Sequence, residues 1–168
     1  MELNQQTAEA ALNEASQSNL TVLAALIGLI AFMAVLIVLI NIFLRRRRDR
    51  RIRRMDELEG RDFEFFCADL LKAQDFIGVE VTRGSGDFGV DILAEKDGIT
   101  YAIQCKRYNS PVGVEAVLRT YGGVAYYERM VGVVMTNQYF TAPAVEAAKK
   151  LRILLWDRGY MDAMMEES

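Results

Sequence analysis

Residues Val90–Arg107 read VDILAEKDGITYAIQCKR, two apolar-rich runs separated by Asp97-Gly98. An Asp-Gly pair between such runs is a strong signal for a two-residue hairpin loop, because both of its residues tolerate positive φ. The reading gives strands over Val90–Lys96 and Ile99–Arg107, with Lys96 opposite Ile99. Stepping outwards from that pair sets Asp91 directly opposite Gln104, on one face of the sheet, with Lys106 two residues further along the same face. Val90, Ile92, Ala94, Tyr101, Ile103 and Cys105 fall on the other face and make core material. A carboxylate, an amide and a lysine are thus expected to meet on one side of a hairpin.

Working outwards, an α/β pattern surrounds the hairpin. Phe63, Phe66, Cys67, Leu70 and Leu71 recur at helical spacing and predict a helix over Leu58–Gln74. Val79–Arg83 reads as a short strand, and Gly84-Ser85-Gly86-Asp87-Phe88-Gly89 as a glycine-rich turn. Ser110-Pro111 opens a helix to about Tyr127, with Val114, Val117, Leu118, Tyr121 and Val124 as its apolar stripe. Val131–Thr136 is a continuous apolar strand of the kind buried on both faces. Thr141 caps a helix to about Leu151, with Pro143 tolerated in its first turn, and Ile153–Trp156 makes a last short strand. The order α-β-β-β-α-β-α-β predicts an α/β domain, a mixed β-sheet flanked by helices.

Charge divides the chain into four segments. Residues 1–19 carry Glu2, Glu9 and Glu14 and no basic residue; they read as an extracytoplasmic tail with no legible role. Thr21–Leu44 is apolar apart from Thr21 and Asn41, and as a helix it would be about 36 Å long, enough to cross a hydrocarbon core of roughly 30 Å. Residues 20–44 are therefore expected to be a single transmembrane α-helix in contact with the lipid bilayer. The acidic flank before it and the arginines after it do not fit a cleaved secretory signal. Residues 45–54 hold eight arginines against Asp49. That asymmetry predicts a single-pass cell-membrane protein with its N-terminus outside and residues 55–168 in the cytoplasm. Contact with anionic lipid explains the arginine run better than DNA binding does, given its position beside the span.

In residues 55–168 acidic side chains outnumber basic ones 19 to 12, against extended nucleic-acid binding by charge alone. The chain has two isolated cysteines and no histidine, which excludes His-based triads and His-ligated metals and leaves carboxylates, amides, lysine or a hard oxygen-bound cation. Cys67 and Cys105, without CxxC spacing, read as small core residues in a reducing compartment. The expected face suits Mg²⁺ (Mn²⁺ as a substitute), with Asp91, the Gln104 side-chain oxygen and the main-chain carbonyl of Cys105 as ligands. Such an ion polarises a phosphate and activates water, while Lys106 orients the attacking water and offsets developing charge. Glu64, bordering the stripe of the first helix, is a candidate extra ligand. Arg83, Ser85 and Arg107 are candidate DNA contacts. Gly84-Ser85-Gly86 is read equally as a phosphate approach or a plain tight turn. Tyr121, Tyr126 and Tyr127 fit packing better than base stacking.

The run GSGDFGVDILAEKDGITYAIQCKRYNSPVG, residues 84–113, resembles the catalytic core of the Mrr family of type IV restriction endonucleases, within the PD-(D/E)XK nuclease superfamily. The resemblance covers about Leu58–Met161 and takes in the later run VVMTNQYFTAPAVEAAKK. Asp91, Gln104 and Lys106 match the family's catalytic positions, and Glu64 matches the glutamate of its first helix. The proline of the superfamily's PD is missing, and Gln104 stands where many members have Glu, which removes one charged ligand. The resemblance implies a restriction-endonuclease-like fold and a Mg²⁺-dependent endodeoxyribonuclease acting on double-stranded DNA in restriction or defence, with a homo-oligomer as a candidate assembly. The alternative is the same fold kept as a catalytically idle, membrane-tethered DNA-binding or protein-interaction module.

Overall fold

The computed structural model describes residues 26–46, 55–83 and 88–167. The chain divides into two compact units, Met1–Arg47 and Arg48–Ser168. In the first, α1 (Leu26–Arg46) is a 21-residue helix, long and apolar enough to cross a membrane. At 1.5 Å per residue it measures about 31 Å, and its large apolar side chains, Leu26 through Leu44, are exposed. The tail over residues 1–19 and the arginines beyond Arg46 lie outside the described residues.

The second unit runs α2 (Gly60–Ala73), β1 (Ile77–Val81), β2 (Ile92–Lys96), β3 (Ile99–Lys106), α3 (Val114–Tyr126), β4 (Val131–Thr136), α4 (Ala142–Leu151), β5 (Ile153–Trp156) and α5 (Arg158–Glu167). The strands form one sheet in the order β1-β2-β3-β4-β5. β1, β2 and β3 pair antiparallel, and β3, β4 and β5 pair parallel. It is the expected mixed sheet flanked by helices. Asp97 (φ 53) and Gly98 (φ 75) form the hairpin loop, both at positive φ as a type I′ turn demands. The ladder follows the expected register from Lys96↔Ile99 to Ile92↔Ile103.

Side-chain alternation along the strands builds two cores. Ile103 and Cys105 of β3 and Val133 and Met135 of β4 pack with Phe63, Cys67 and Leu71 of α2 and Met161 and Met164 of α5. Val134 and Ile153 face the opposite way, onto Ala116 and Val117 of α3 and Ala144 and Ala148 of α4. β4 is buried along nearly its whole length, as its unbroken apolar run requires. Thr141 caps α4 by accepting from the Ala144 N–H at 3.4 Å.

Three sequence expectations are corrected. β1 lies two residues earlier than Val79–Arg83, because a register irregularity between Ile77 and Glu80, with Gly78 at φ 56, shifts the pairing. α3 begins after Gly113, since Val112 is taken up in a bridge with Phe140. Its buried face is Ala116, Val117, Thr120 and Gly123, while Leu118 and Tyr121 of the expected stripe are exposed. The helix lies so close to the sheet that only small side chains fit beneath it. A Cβ at Gly123 would stand 2.3 Å from Val90 Cγ2 and 3.1 Å from the Phe88 carbonyl oxygen. Finally, α5 has no counterpart in the sequence reading. Asp157 opens it, its carboxylate accepting from the Tyr160 N–H at 3.0 Å, and Met161 and Met164 bury its inner face.

Candidate active site

The candidate residues collect where β2 begins and β3 runs on past it. Ahead of Ile92 the backbone of the incoming chain does not follow the ladder. The Asp91 N–H donates to the Ile103 carbonyl at 2.8 Å, one residue out of register. The Cys105 N–H, the next donor on that edge of β3, is taken by the Asp91 carboxylate at 2.6 Å. Asp91 is therefore not a ladder partner of Gln104, as the hairpin register alone predicts. A group hydrogen-bonded to a strand N–H lies near the plane of the sheet, so its carboxylate sits at the sheet edge between the two faces. In an antiparallel ladder a residue's N–H and C=O point to the same neighbour. The Cys105 carbonyl is thus directed to the same edge as Asp91.

Thr82 fixes the Asp91 segment from the other side. Its N–H donates to the Asp91 carbonyl at 2.9 Å and its hydroxyl to the Val90 carbonyl at 2.7 Å. Arg61 then ties the same point to α2: NH1 donates to the Thr82 carbonyl at 3.0 Å and to Glu64 Oε2 at 3.0 Å. Glu64 is largely shielded, its side chain 18% exposed, and Arg61 holds it from one turn earlier. Arg61 and Thr82 are missing from the sequence reading. An i,i+3 arginine before the glutamate is the one signal that points to Arg61.

Cys105 reports on both carboxylates. Burial pushes its thiol well above the ordinary cysteine range, the neighbouring Cys67 adds to this, and the charges of Asp91 and Glu64 raise it further. Cys67 and Cys105 are buried free thiols, as expected.

Gln104 and Lys106 alternate onto the α3 side of β3. Gln104 is 1% exposed, with its Oε1 3.4 Å from the Thr120 hydroxyl and its Nε2 beside Gly89. Lys106 is half-buried; its ammonium lies 5.9 Å from the Tyr108 ring centroid. It opens into a cavity of about 170 Å³ that Gly113 and Glu115 at the start of α3, and Arg119, also line.

The candidate DNA contacts separate. Arg83 is exposed, and Ser85 lies outside the described residues. Arg107 turns inward instead, NH2 donating to the Asp56 carbonyl. Asp56 itself anchors a clasp that sequence reading does not detect: its Oδ1 accepts from Asn137 Nδ2 at 2.9 Å and from Arg158 NH2 at 2.6 Å. Asn137 in turn brackets the Tyr108 backbone, accepting from its N–H and donating to its carbonyl. The chain leaving β3 two residues past Lys106 is pinned in this way.

Among the described residues no three of His, Cys, Asp and Glu converge as a metal-binding group. The donors present are two carboxylates, one amide oxygen and a main-chain carbonyl, all hard oxygens. They fit a Mg²⁺-like cation and not a soft metal.

Residues 55–165 match the family of the restriction endonuclease catalytic domain of the Mrr type. No curated protein gives a sequence match. Among solved structures, the protein of unknown function AF1548 is 25% identical with a TM-score of 0.51, over 61% of this chain and 63% of that one. The DNA modification-dependent restriction endonuclease AspBHI is 17% identical with a TM-score of 0.53, over 71% of this chain and 35% of that one. The chain thus spans less than two thirds of either structure, and at 17% identity the second likeness is one of fold. Through this match over residues 55–165, the chain belongs to the restriction endonuclease family.

Proposed function

We propose that the protein is a membrane-anchored, metal-dependent DNA endonuclease of the Mrr type, acting in restriction or defence against foreign DNA. The observation that carries this reading is the Asp91 carboxylate held on the Cys105 N–H, with Gln104 and Lys106 on either side of that residue of β3. Asp91, Glu64, the Gln104 amide oxygen and the Cys105 carbonyl would hold Mg²⁺ (Mn²⁺ as a substitute). When bound, the ion supplies Lewis-acid polarisation of the phosphate and a more acidic water.

The chain's own residues do the rest. Lys106 holds a positive charge at the mouth of the cavity beside α3, where it orients water and offsets charge growing on the phosphate. Thr82 and Arg61 keep Asp91 and Glu64 in place. Arg83 on the exposed surface, with Ser85 of the glycine-rich sequence that follows it, contacts the DNA backbone. Arg107 supports the site from within through Asp56. α1 holds the domain at the bilayer, and the arginines from Arg45 to Arg54 fix it on the cytoplasmic side.

The acidic balance of residues 55–168 favours a second reading, an idle fold that binds a partner without cleaving. Full-length protein in detergent micelles, incubated with supercoiled plasmid, separates the two. Mg²⁺-dependent conversion to open-circular DNA is expected; a folded protein that shifts or ignores the plasmid without nicking it, in Mg²⁺ or Mn²⁺, supports the idle module.

A further inference from the structure

Gln104 is the family position where an amide replaces an acid, and an amide has a direction that a carboxylate lacks. One terminal atom is an acceptor and the other a donor, and nitrogen and oxygen are told apart only by their hydrogen-bond partners. The side chain is buried between two neighbours, the Thr120 hydroxyl on α3 and the backbone of Gly89.

Thr120 carries one hydroxyl proton. Two acceptors compete for it: the Ala116 carbonyl one turn back at 2.9 Å, and Gln104 Oε1 at 3.4 Å. The shorter bond has the ordinary geometry of a helical threonine bonding to its i−4 carbonyl. Once the proton is committed there, oxygen lone pairs of Thr120 and Gln104 face each other inside a dry interface. Turning the amide by half a rotation removes the conflict. Nε2 then donates to the Thr120 oxygen, and Oε1 turns to the Gly89 side. That side has room for it only because residue 89 lacks a Cβ, which would stand 2.9 Å from the amide atom and 3.0 Å from Arg119 Cβ.

We infer that Thr120 is a positioning residue: its hydroxyl, locked onto Ala116, fixes the Gln104 amide with nitrogen toward α3 and oxygen toward the Gly89–Asp91 segment. An amide set in this way presents to a hard cation beside Asp91 the atom that can ligate it. Its consequence for metal binding rests on the nuclease reading above; the orientation of the amide does not.

Two measurements on the full chain in detergent micelles test the inference. With [¹⁵N]glutamine labelling, the Gln104 side-chain amide signal is assigned by its loss in Gln104→Glu. Its proton bonded to Thr120 should exchange slowly in wild type and in Thr120→Ser. In Thr120→Val it should exchange about tenfold faster, the worth of one hydrogen bond. Unchanged exchange in Thr120→Val overturns the assignment.

The second readout is the Mg²⁺ concentration that half-maximally raises the melting temperature. Thr120→Val should increase it about tenfold when residue 104 is Gln, the usual effect of losing a group that orients a ligand. In the Gln104→Glu background the same change should have no effect, because either carboxylate oxygen can ligate. An equal increase in both backgrounds would make Thr120 merely structural and overturn its positioning role. If Mg²⁺ stabilises no variant, the metal site itself fails, and the exchange measurement alone decides the amide.

Discussion

The Asp91 carboxylate accepts a hydrogen bond from the main-chain N–H of Cys105 at 2.6 Å, in the place where a backbone carbonyl of β2 would otherwise pair. One side chain thereby ends a strand pairing and brings an acid to the edge of β3. It follows that Asp91 has a structural duty beside the chemical one proposed for it. Asp91→Ala strands the Cys105 N–H and should cost about 1–3 kcal/mol, whereas Asp91→Asn keeps an acceptor and should cost much less. Both should abolish cleavage. Urea unfolding of the two variants side by side checks this, and equal stabilities would show that the hydrogen bond is incidental.

The glycines of α3 make a matched pair. At Gly123 a Cβ meets Val90 Cγ2 at 2.3 Å, while at Gly122 it meets nothing within 4 Å. Gly123→Ala should destabilise the domain by about 1–3 kcal/mol and disturb the Val90–Asp91 segment. Gly122→Ala, gaining helix propensity at no steric cost, should stabilise by about 0.5–1 kcal/mol. Thermal melts that move the same way for both would contradict the close approach of α3.

Asp56 ties the start of the domain to Asn137, which follows β4, and to Arg158 at the start of α5. Asp56→Ala should cost about 1–2 kcal/mol, tempered by the partial exposure of the ion pair. Because Arg107 bonds to the Asp56 carbonyl and not to its side chain, that contact should survive. A double-mutant cycle of Asp56→Ala with Arg158→Ala should show coupling, and with Arg107→Ala little.

The proposed topology predicts that protease added to intact spheroplasts leaves residues 55–168 untouched, and that permeabilised cells lose them. Digestion in intact spheroplasts would place the domain on the wrong side of the membrane to reach cellular DNA.

The hairpin was legible because its information is local: Asp97-Gly98 and strict alternation determine turn and register together. The apolar run of β4 and the cap at Thr141 were legible for the same reason. Beyond Ile92 the register expectation fails, because what Asp91 does there depends on a side chain competing for a strand N–H, which no periodicity encodes. The stripe of α3 misled because apolar bulk was taken as the mark of burial. The helix lies so low over the sheet that Gly123, Ala116 and Thr120 are the residues inside. α5 is not legible because its two buried methionines, Met161 and Met164, make too short an apolar pattern in ten residues. Asp91, Gln104, Lys106 and Glu64 are legible in the sequence as candidates, whereas Arg61, Thr82 and Thr120 reach Glu64, Asp91 and Gln104 through contacts that only the fold creates.

The residues around Cys105, with a divalent cation, are proposed to cut DNA. The most direct measurement is single-turnover nicking of supercoiled plasmid by wild type and Lys106→Ala, each with Mg²⁺ and with EDTA. Wild type should nick in Mg²⁺ and stop in EDTA. Lys106→Ala should keep its stability within about 0.5 kcal/mol while its rate falls by about a hundredfold or more. Nicking that survives EDTA, or that Lys106→Ala performs at the wild-type rate, would contradict the account.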